Sequence, residues 1–295
     1  MPLSDNQITR WSRRGDPIHA WYSYQMVRDS LAAAKLNGTT STIYPQGSYA
    51  NKTNIAADSD VDMVIALSSA FYPNKEELTP EEREEYARHY EESDLTWQRF
   101  REVVVEALRS NYLVQEGSKC VKVRSNLIRL PADVLIALDY RYFTSFPSFF
   151  GQTSIDGVQF YSSEGTKIIN YPKRHIRACR LKNNDTAGRF RRVVRVAKNA
   201  RNALISDSET KVGSGIAPSY FLESLLWNVP DRCYTDGLEE AYRQVVAWLH
   251  ENPGRLAAMD YPNQMGRLFA DAPDTIWSAA SAQLIIDAMY LQLSS

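Results

Sequence analysis

The hydrophobic pattern of the chain changes period at Pro172. Before it, apolar residues come in blocks of strand length; after it, they recur at three- and four-residue spacing to the end. The blocks Ser41–Pro45 and Val61–Leu67 predict strands, and shorter ones are expected over 112–116, 119–123 and 127–138. Gly157–Tyr171 (GVQFYSSEGTKIINY) predicts a hairpin turning at Ser163-Glu164-Gly165. Two helices interrupt this region. One is expected over 16–37, opened by Asp16-Pro17 and stopped by Asn37-Gly38. The other is expected over 94–110, with Leu95, Phe100, Val103, Val104 and Leu108 as its inward stripe. The acidic segment 74–93 predicts a solvated helix or loop. Beyond Pro172, helices are expected over 173–182, 186–205, 217–227, 236–251 and 275–293. Strands first and helices later predict an α+β domain (1–170) followed by a helical domain (171–295), with the cleft between the lobes as the expected ligand site.

Three acids stand out against this pattern. In YPQGSYANKTNIAADSDVDMVIAL, a Gly-Ser turn leads through a polar loop to Asp60 and Asp62, which open an apolar strand. Residues i and i+2 of a strand share a face, so the two carboxylates project together. Such a pair is costly unless a cation lies between its members, and Mg²⁺ takes oxygen ligands from carboxylates and substrate phosphates alike. Gln46, Gly47 and Ser48 form a turn whose N–H groups and hydroxyl suit a phosphate. Asp133 lies inside a second apolar run, Leu130–Leu138, where an acid needs a partner. Two acids on one strand and a third on a neighbour match a two-ion site, with Mg²⁺ as the expected metal and Mn²⁺ as the substitute.

Composition narrows the classes. An apolar fraction of 44% and a charged fraction of 23% are ordinary for a soluble globular protein. The net charge of −1 provides no global basic field for a duplex, and no obligatory nucleic-acid template is expected. Three scattered cysteines and four scattered histidines suggest reduced thiols and give little support to a His-based metal site. No apolar run reaches the ~20 residues of a membrane span and the N-terminus lacks a signal-peptide pattern, so a cytoplasmic protein with no membrane partner is expected.

The Gly-Ser turn, the Asp60/Asp62 pair and Asp133 together resemble the signature of DNA polymerase β-type nucleotidyltransferases over roughly residues 40–140. Downstream, Asn170–Arg177, Lys182-Asn183-Asn184, Arg189–Arg195 and Ala217–Glu223 resemble the bacterial cGAS/DncV-like nucleotidyltransferases (CD-NTases), clade E. The resemblance implies a polymerase β-type core sheet followed by a helical lobe. It implies template-independent synthesis of a cyclic di- or trinucleotide from ATP and other ribonucleoside triphosphates (UTP or GTP), with release of pyrophosphate. The product would be a signal read by a downstream effector in anti-phage (CBASS) defence. Asp60, Asp62 and Asp133 would be the catalytic metal ligands.

The same resemblance places a triphosphate-binding lysine on the helix over 186–205, at Lys198, with Ser219 as a second phosphate ligand and Tyr220 as a stacking platform for a base. From the residues alone, Arg191, Arg195 and Lys198 share a helix face, which is more often solvated than functional, and Tyr220 could equally pack in a core. In clade E an Asn near residues 175–184 reads uracil. Asn183 is the candidate, Asn184 is its neighbour, and Ala178 or Cys179 could occupy that position instead. Asn183 and Asn184 also suit helix capping, and if neither faces the base, purines are expected. Transfer to an RNA or protein acceptor and a non-catalytic nucleotide-binding role are the alternatives.

Overall fold

The computed structural model describes residues 3–294 except 35–38, 57–59, 92, 127–128, 148–150, 152, 208–209, 211, 214 and 270–276. The Asn37-Gly38 stop and the first residues of the 127–138 strand lie outside the described residues. The elements are α1 (Asp5–Trp11), α2 (Pro17–Ala33), β1 (Ser41–Pro45), α3 (Gly47–Asn51), β2 (Val61–Asn74), α4 (Pro80–His89), α5 (Trp97–Arg109), β3 (Val114–Glu116), β4 (Val121–Val123), β5 (Ala132–Ser145), β6 (Thr153–Tyr161), β7 (Lys167–Asn170), α6 (Pro172–Asp185), α7 (Arg189–Ser206), α8 (Ser219–Trp227), α9 (Leu238–Glu251) and α10 (Ala279–Ser294). They cluster into two compact units, one of residues 18–47 and 59–173, the other of 1–17, 48–58 and 174–295. The expected division after residue 170 falls close to the main boundary at 173/174, but 1–17 and 48–58 join the helical unit, not the sheet.

In the sheet unit the strands run β1-β2-β5-β4-β3, and β6 and β7 extend the sheet from the far end of β5. The β2–β5 pair is parallel and β1–β2, β4–β5 and β5–β6 are antiparallel, so the sheet is mixed. Met63 through Leu67 are wholly buried, as expected of a strand covered on both faces. The polar pair Ser68-Ser69 closes the predicted strand, yet β2 and β5 each run for 14 residues. A register shift between Leu67 and Phe71 absorbs the interruption. Past it, Phe143 and Phe146 pack with Tyr86 and Leu78 in a small separate core. The acidic segment 74–93 therefore holds a genuine helix, α4, opened by a Thr79/Glu82 capping box and anchored by Tyr86. On α5, Phe100, Val104 and Leu108 are buried as predicted, and Trp97 donates its indole N–H to Ile136 O at 2.7 Å.

In the helical unit the predicted stripe of α7 is the core: Phe190, Val193, Val194, Ala197 and Ala200 are wholly buried. They pack with residues of α8, α9 and α10, including Phe221, Tyr242 and Ile285. Gly15 is required where it sits, because a Cβ there would lie 2.4 Å from Ile55 O. Among the described residues, no helix is long and apolar enough to cross a membrane.

Candidate active site

The sheet unit gathers the three acids through strand register. Asp62 lies directly beside Asp133 in the parallel β2–β5 ladder, and Asp133 is paired with Lys122 across the antiparallel β4–β5 ladder. Asp60 immediately precedes β2, and its carboxylate accepts a 2.8 Å hydrogen bond from Lys122 Nζ. The same ammonium lies 3.8 Å from Asp133 Oδ1. Lys122 thus bridges Asp60 and Asp133 on the three-strand surface β2-β5-β4. Burial raises the Asp133 pKa above the usual carboxylate range, with Asp60 adding repulsion and Lys122 opposing both. Cys120 lies against Asp133 and Asp62, and burial followed by those negative neighbours pushes its thiol up to about 12.

Among the described residues, Asp133 Oδ1 is buried without a hydrogen-bond partner. An orphaned carboxylate oxygen beside two further carboxylates is an all-oxygen donor set of the kind a hard divalent cation takes, so the residues fit Mg²⁺ or Mn²⁺. Sequence reasoning missed Lys122. Its signal was a lone cation between Val121 and Val123, on a strand too short to be read with its partners. Because its charge competes for the same oxygens as a metal, Lys122→Met is expected to tighten Mn²⁺ binding about tenfold in the absence of nucleotide. A calorimetric Mn²⁺ titration checks this, and unchanged affinity would separate Lys122 from the metal site.

The Gly-Ser turn belongs to the same construction. Gln46 N–H donates to Asp62 O at 2.9 Å, continuing the β1–β2 pairing. Gly47 follows with φ +62°, and a Cβ on it would fall 2.1 Å from Asp62 Oδ2. The turn backbone therefore lies directly on the Asp62 carboxylate, an approach open only to glycine.

Ser48 belongs to the helical unit, in which α3 runs on into a tightly bonded segment ending at Asn54. Thr53 N–H returns to Ser48 O at 2.8 Å, and Lys52 adopts a left-handed φ of 59°. The cationic face of α7 is not solvated, contrary to the usual outcome for such a face. Arg195 donates to Ser12 O (2.5 Å) and Lys52 O (2.6 Å), and burial lowers its pKa to about 10. Lys198 is wholly buried, and its ammonium donates to Thr53 O at 3.2 Å. Ser219 opens α8 and is half-buried. Tyr220 stacks on His175 with centroids 4.6 Å apart and lies beside Trp277, so one ring face is already occupied.

Asn183 takes the capping role: its Oδ1 accepts Arg191 N–H at 3.2 Å near the start of α7. Asn184 is exposed. Ala178 instead lines a cavity of about 710 Å³, with Arg174, Arg177, Leu181, Trp227 and Asn263 among its walls. A further buried group was not singled out from the sequence. His175, Cys179 and Glu223 bring their ligand atoms within 4.8 Å of one another. A lone Glu in the apolar helix SYFLESLLW was the available signal for it.

Residues 177–294 match the family described as the cGAS/DncV-like nucleotidyltransferase C-terminal helical domain. The cyclic UMP-AMP synthase of Rhodothermus marinus is 35% identical over 96% of this chain and 95% of its own. The cyclic dipurine nucleotide synthase of Elizabethkingia meningoseptica is 29% identical over 92% of each. The solved Rhodothermus marinus CdnE c-UMP-AMP synthase, bound to Apcpp and Upnpp, superposes with a TM-score of 0.86 at 34% identity, covering 98% of this chain and 95% of that one.

Proposed function

The chain belongs to the cGAS/DncV-like nucleotidyltransferases, in their CdnE clade, and from that membership we propose that it makes a cyclic dinucleotide from ribonucleoside triphosphates without a template. The observation that carries the reading is the register of Asp62 against Asp133, with Gly47 packed on Asp62. It supports a carboxylate site adjoining a turn that a triphosphate can approach closely.

Asp60, Asp62 and Asp133 would hold two divalent ions, Mg²⁺ or Mn²⁺. When bound, the metal supplies activation of the attacking hydroxyl and charge neutralisation for the leaving pyrophosphate. The reaction is an in-line displacement. A ribose hydroxyl of one nucleotide loses its proton to solvent as its oxygen bonds to the α-phosphorus of the other, the bond from that phosphorus to the bridging oxygen breaks, and pyrophosphate leaves with the electron pair. A second displacement within the linear product closes the ring. Gln46, Gly47 and Ser48 hold donor phosphates through backbone N–H groups and the serine hydroxyl. Ser219 contributes a hydroxyl, and Tyr220, already packed against His175, Tyr261 and Trp277, is the ring nearest to hand for a base. Lys198 supplies positive charge to the triphosphate from a buried position, while its bond to Thr53 O fixes the segment that begins at Ser48.

Base choice follows from which amides are spent. Asn183 Oδ1 is committed to Arg191 N–H, and Ala178, which lines the cavity, has no hydrogen-bonding side chain. Both observations support purine substrates, ATP with ATP or GTP, over a uridine-containing product. The product would then serve as a signal for a downstream effector.

The test is incubation with all four ribonucleotides and Mg²⁺ or Mn²⁺, with products resolved by mass spectrometry. A cyclic product containing only purines is expected, released with two pyrophosphates per ring. Phosphodiester formation that requires added RNA or protein would sink the synthase reading in favour of acceptor transfer. A uridine-containing ring would sink only the base assignment.

A further inference from the structure

The buried Glu223 network lies in the helical unit, and none of the roles assigned above uses it. Glu223 is 3% exposed and stands on the second turn of α8, four residues after Ser219. One oxygen accepts the Thr53 hydroxyl. The other accepts Asn51 Nδ2 at 2.7 Å and lies 3.1 Å from His175 Nε2, which is assigned as the donor. Burial alone would raise the pKa of this carboxyl, but the bonds from His175, Thr53 and Asn51 together hold it below the usual value. Three of the roughly four acceptor positions of this carboxylate are taken by Thr53, Asn51 and His175, so Glu223 acts here first as the hub of a hydrogen-bonded cluster.

Its partners on the 48–54 segment are the informative part. Asn51 and Thr53 flank Lys52, whose left-handed backbone is uncommon for a non-glycine residue and persists only where the surroundings over-determine it. The restraints arrive from several elements. Arg195 holds Lys52 O, Lys198 holds Thr53 O, and Arg14 holds Asn54 Oδ1 at 2.7 Å. Glu223 is the acidic group among these restraints and grips both sides of the strained residue. Thr53, in turn, closes on Ser48 O.

We propose that Glu223 is a positioning residue for nucleotide binding: from α8 it sets the backbone of the 48–54 segment and ties it to the helix that begins at Ser219. The inference rests on the phosphate role proposed for Ser48 and Ser219. Glu223 touches no substrate. It supplies the fixed anion that keeps Asn51 and Thr53 in place, so that the serine at the head of the segment does not have to be ordered by the substrate.

Two variants and two kinds of readout test it. Glu223→Gln keeps the shape but replaces one acceptor oxygen with an NH₂ group facing the donors, and Glu223→Ala removes both oxygens. Amide hydrogen exchange of residues 49–54 in the nucleotide-free protein is expected to accelerate at least about tenfold in Glu223→Gln, with β2 and β5 unchanged. That measurement needs no substrate, so it judges the segment's geometry even if the proposed activity is wrong. In the activity assay, the KM for ATP is expected to rise about tenfold or more while kcat changes less, and Mn²⁺ affinity is expected to stay the same. Adding Lys52→Gly, which accepts the left-handed backbone without strain, is expected to recover part of the lost affinity in Glu223→Ala. Unaltered exchange over 49–54 in Glu223→Gln overturns the inference, as does a wild-type KM in a variant whose exchange has changed. Stoichiometric zinc in the purified wild type, lost in both variants, would replace it with a metal site.

Discussion

Asp133→Asn is expected to lower phosphodiester formation by at least about a thousandfold, or about 4 kcal/mol of barrier, while leaving the fold intact. The residue lies on β5, between Asp62 of β2 on one side and Lys122 of β4 on the other. Its Oδ1 makes no close hydrogen bond among the described residues and meets Lys122 Nζ only at 3.8 Å, so the cost of holding a charge there is only partly offset. Asparagine has nearly the same shape and removes only the charge. The β5 backbone should be indifferent, because its ladder bonds do not involve the side chain. Thermal stability is therefore expected to stay the same or rise, since a buried acid with a raised pKa is replaced by a neutral group. The two measurements belong together: product formation from labelled ATP and a melting curve. A variant with more than a tenth of wild-type activity would remove Asp133 from the metal-binding set. Parallel loss of activity and fold would leave the same residue as a structural acid.

Gly47→Ala is expected to be the second most damaging single change, at about a hundredfold or more in kcat/KM. Two independent objections meet at this atom. The backbone is at φ +62°, which L side chains rarely adopt, and the added methyl would lie 2.1 Å from Asp62 Oδ2. The carboxylate cannot simply rotate away, since its position beside Asp133 is what the site requires. The turn must therefore move, and a shift of about an ångström at a phosphate-binding turn is enough to lose two orders of magnitude. Gly165, at φ +82° with nothing within 4 Å of where a Cβ would stand, is the matched control. Gly165→Ala carries the backbone penalty without the collision, so its stability should fall while its turnover stays near wild type. If Gly47→Ala and Gly165→Ala behave alike, proximity to Asp62 is irrelevant and the turn plays no part in the chemistry.

The acids and the turn were legible because their signals are local. A charge inside an apolar run and a Gly-Ser pair ahead of it can be read within a short stretch of sequence. The helical core was legible for the same reason, as periodicity in α7 shows. What stayed hidden depends on partners distant in sequence. Lys122 is unremarkable until β4 is set against β5, and Glu223 is an isolated acid until Asn51 and Thr53, some 170 residues upstream, are placed beside it. The bonds made by the cationic stripe of α7 were not legible because carbonyl acceptors carry no sequence signal: Ser12, Lys52 and Thr53 accept through the backbone, where any residue type would do. Likewise, the grouping of 48–58 with helices cannot be read from a segment flanked on both sides by strands.

The register shift between Leu67 and Phe71 also divides the longest strand pair into two mechanically distinct halves. On the side of Asp62 and Asp133, a one-residue slip of either strand would turn its acid to the opposite face and away from the other, so an insertion there is expected to abolish activity. Beyond the shift, the strands carry α4 and an aromatic core of their own, and length changes are absorbed before they reach the acids. The bulge works as a mechanical decoupler. It lets the outer end of the sheet change length without moving Asp62 against Asp133.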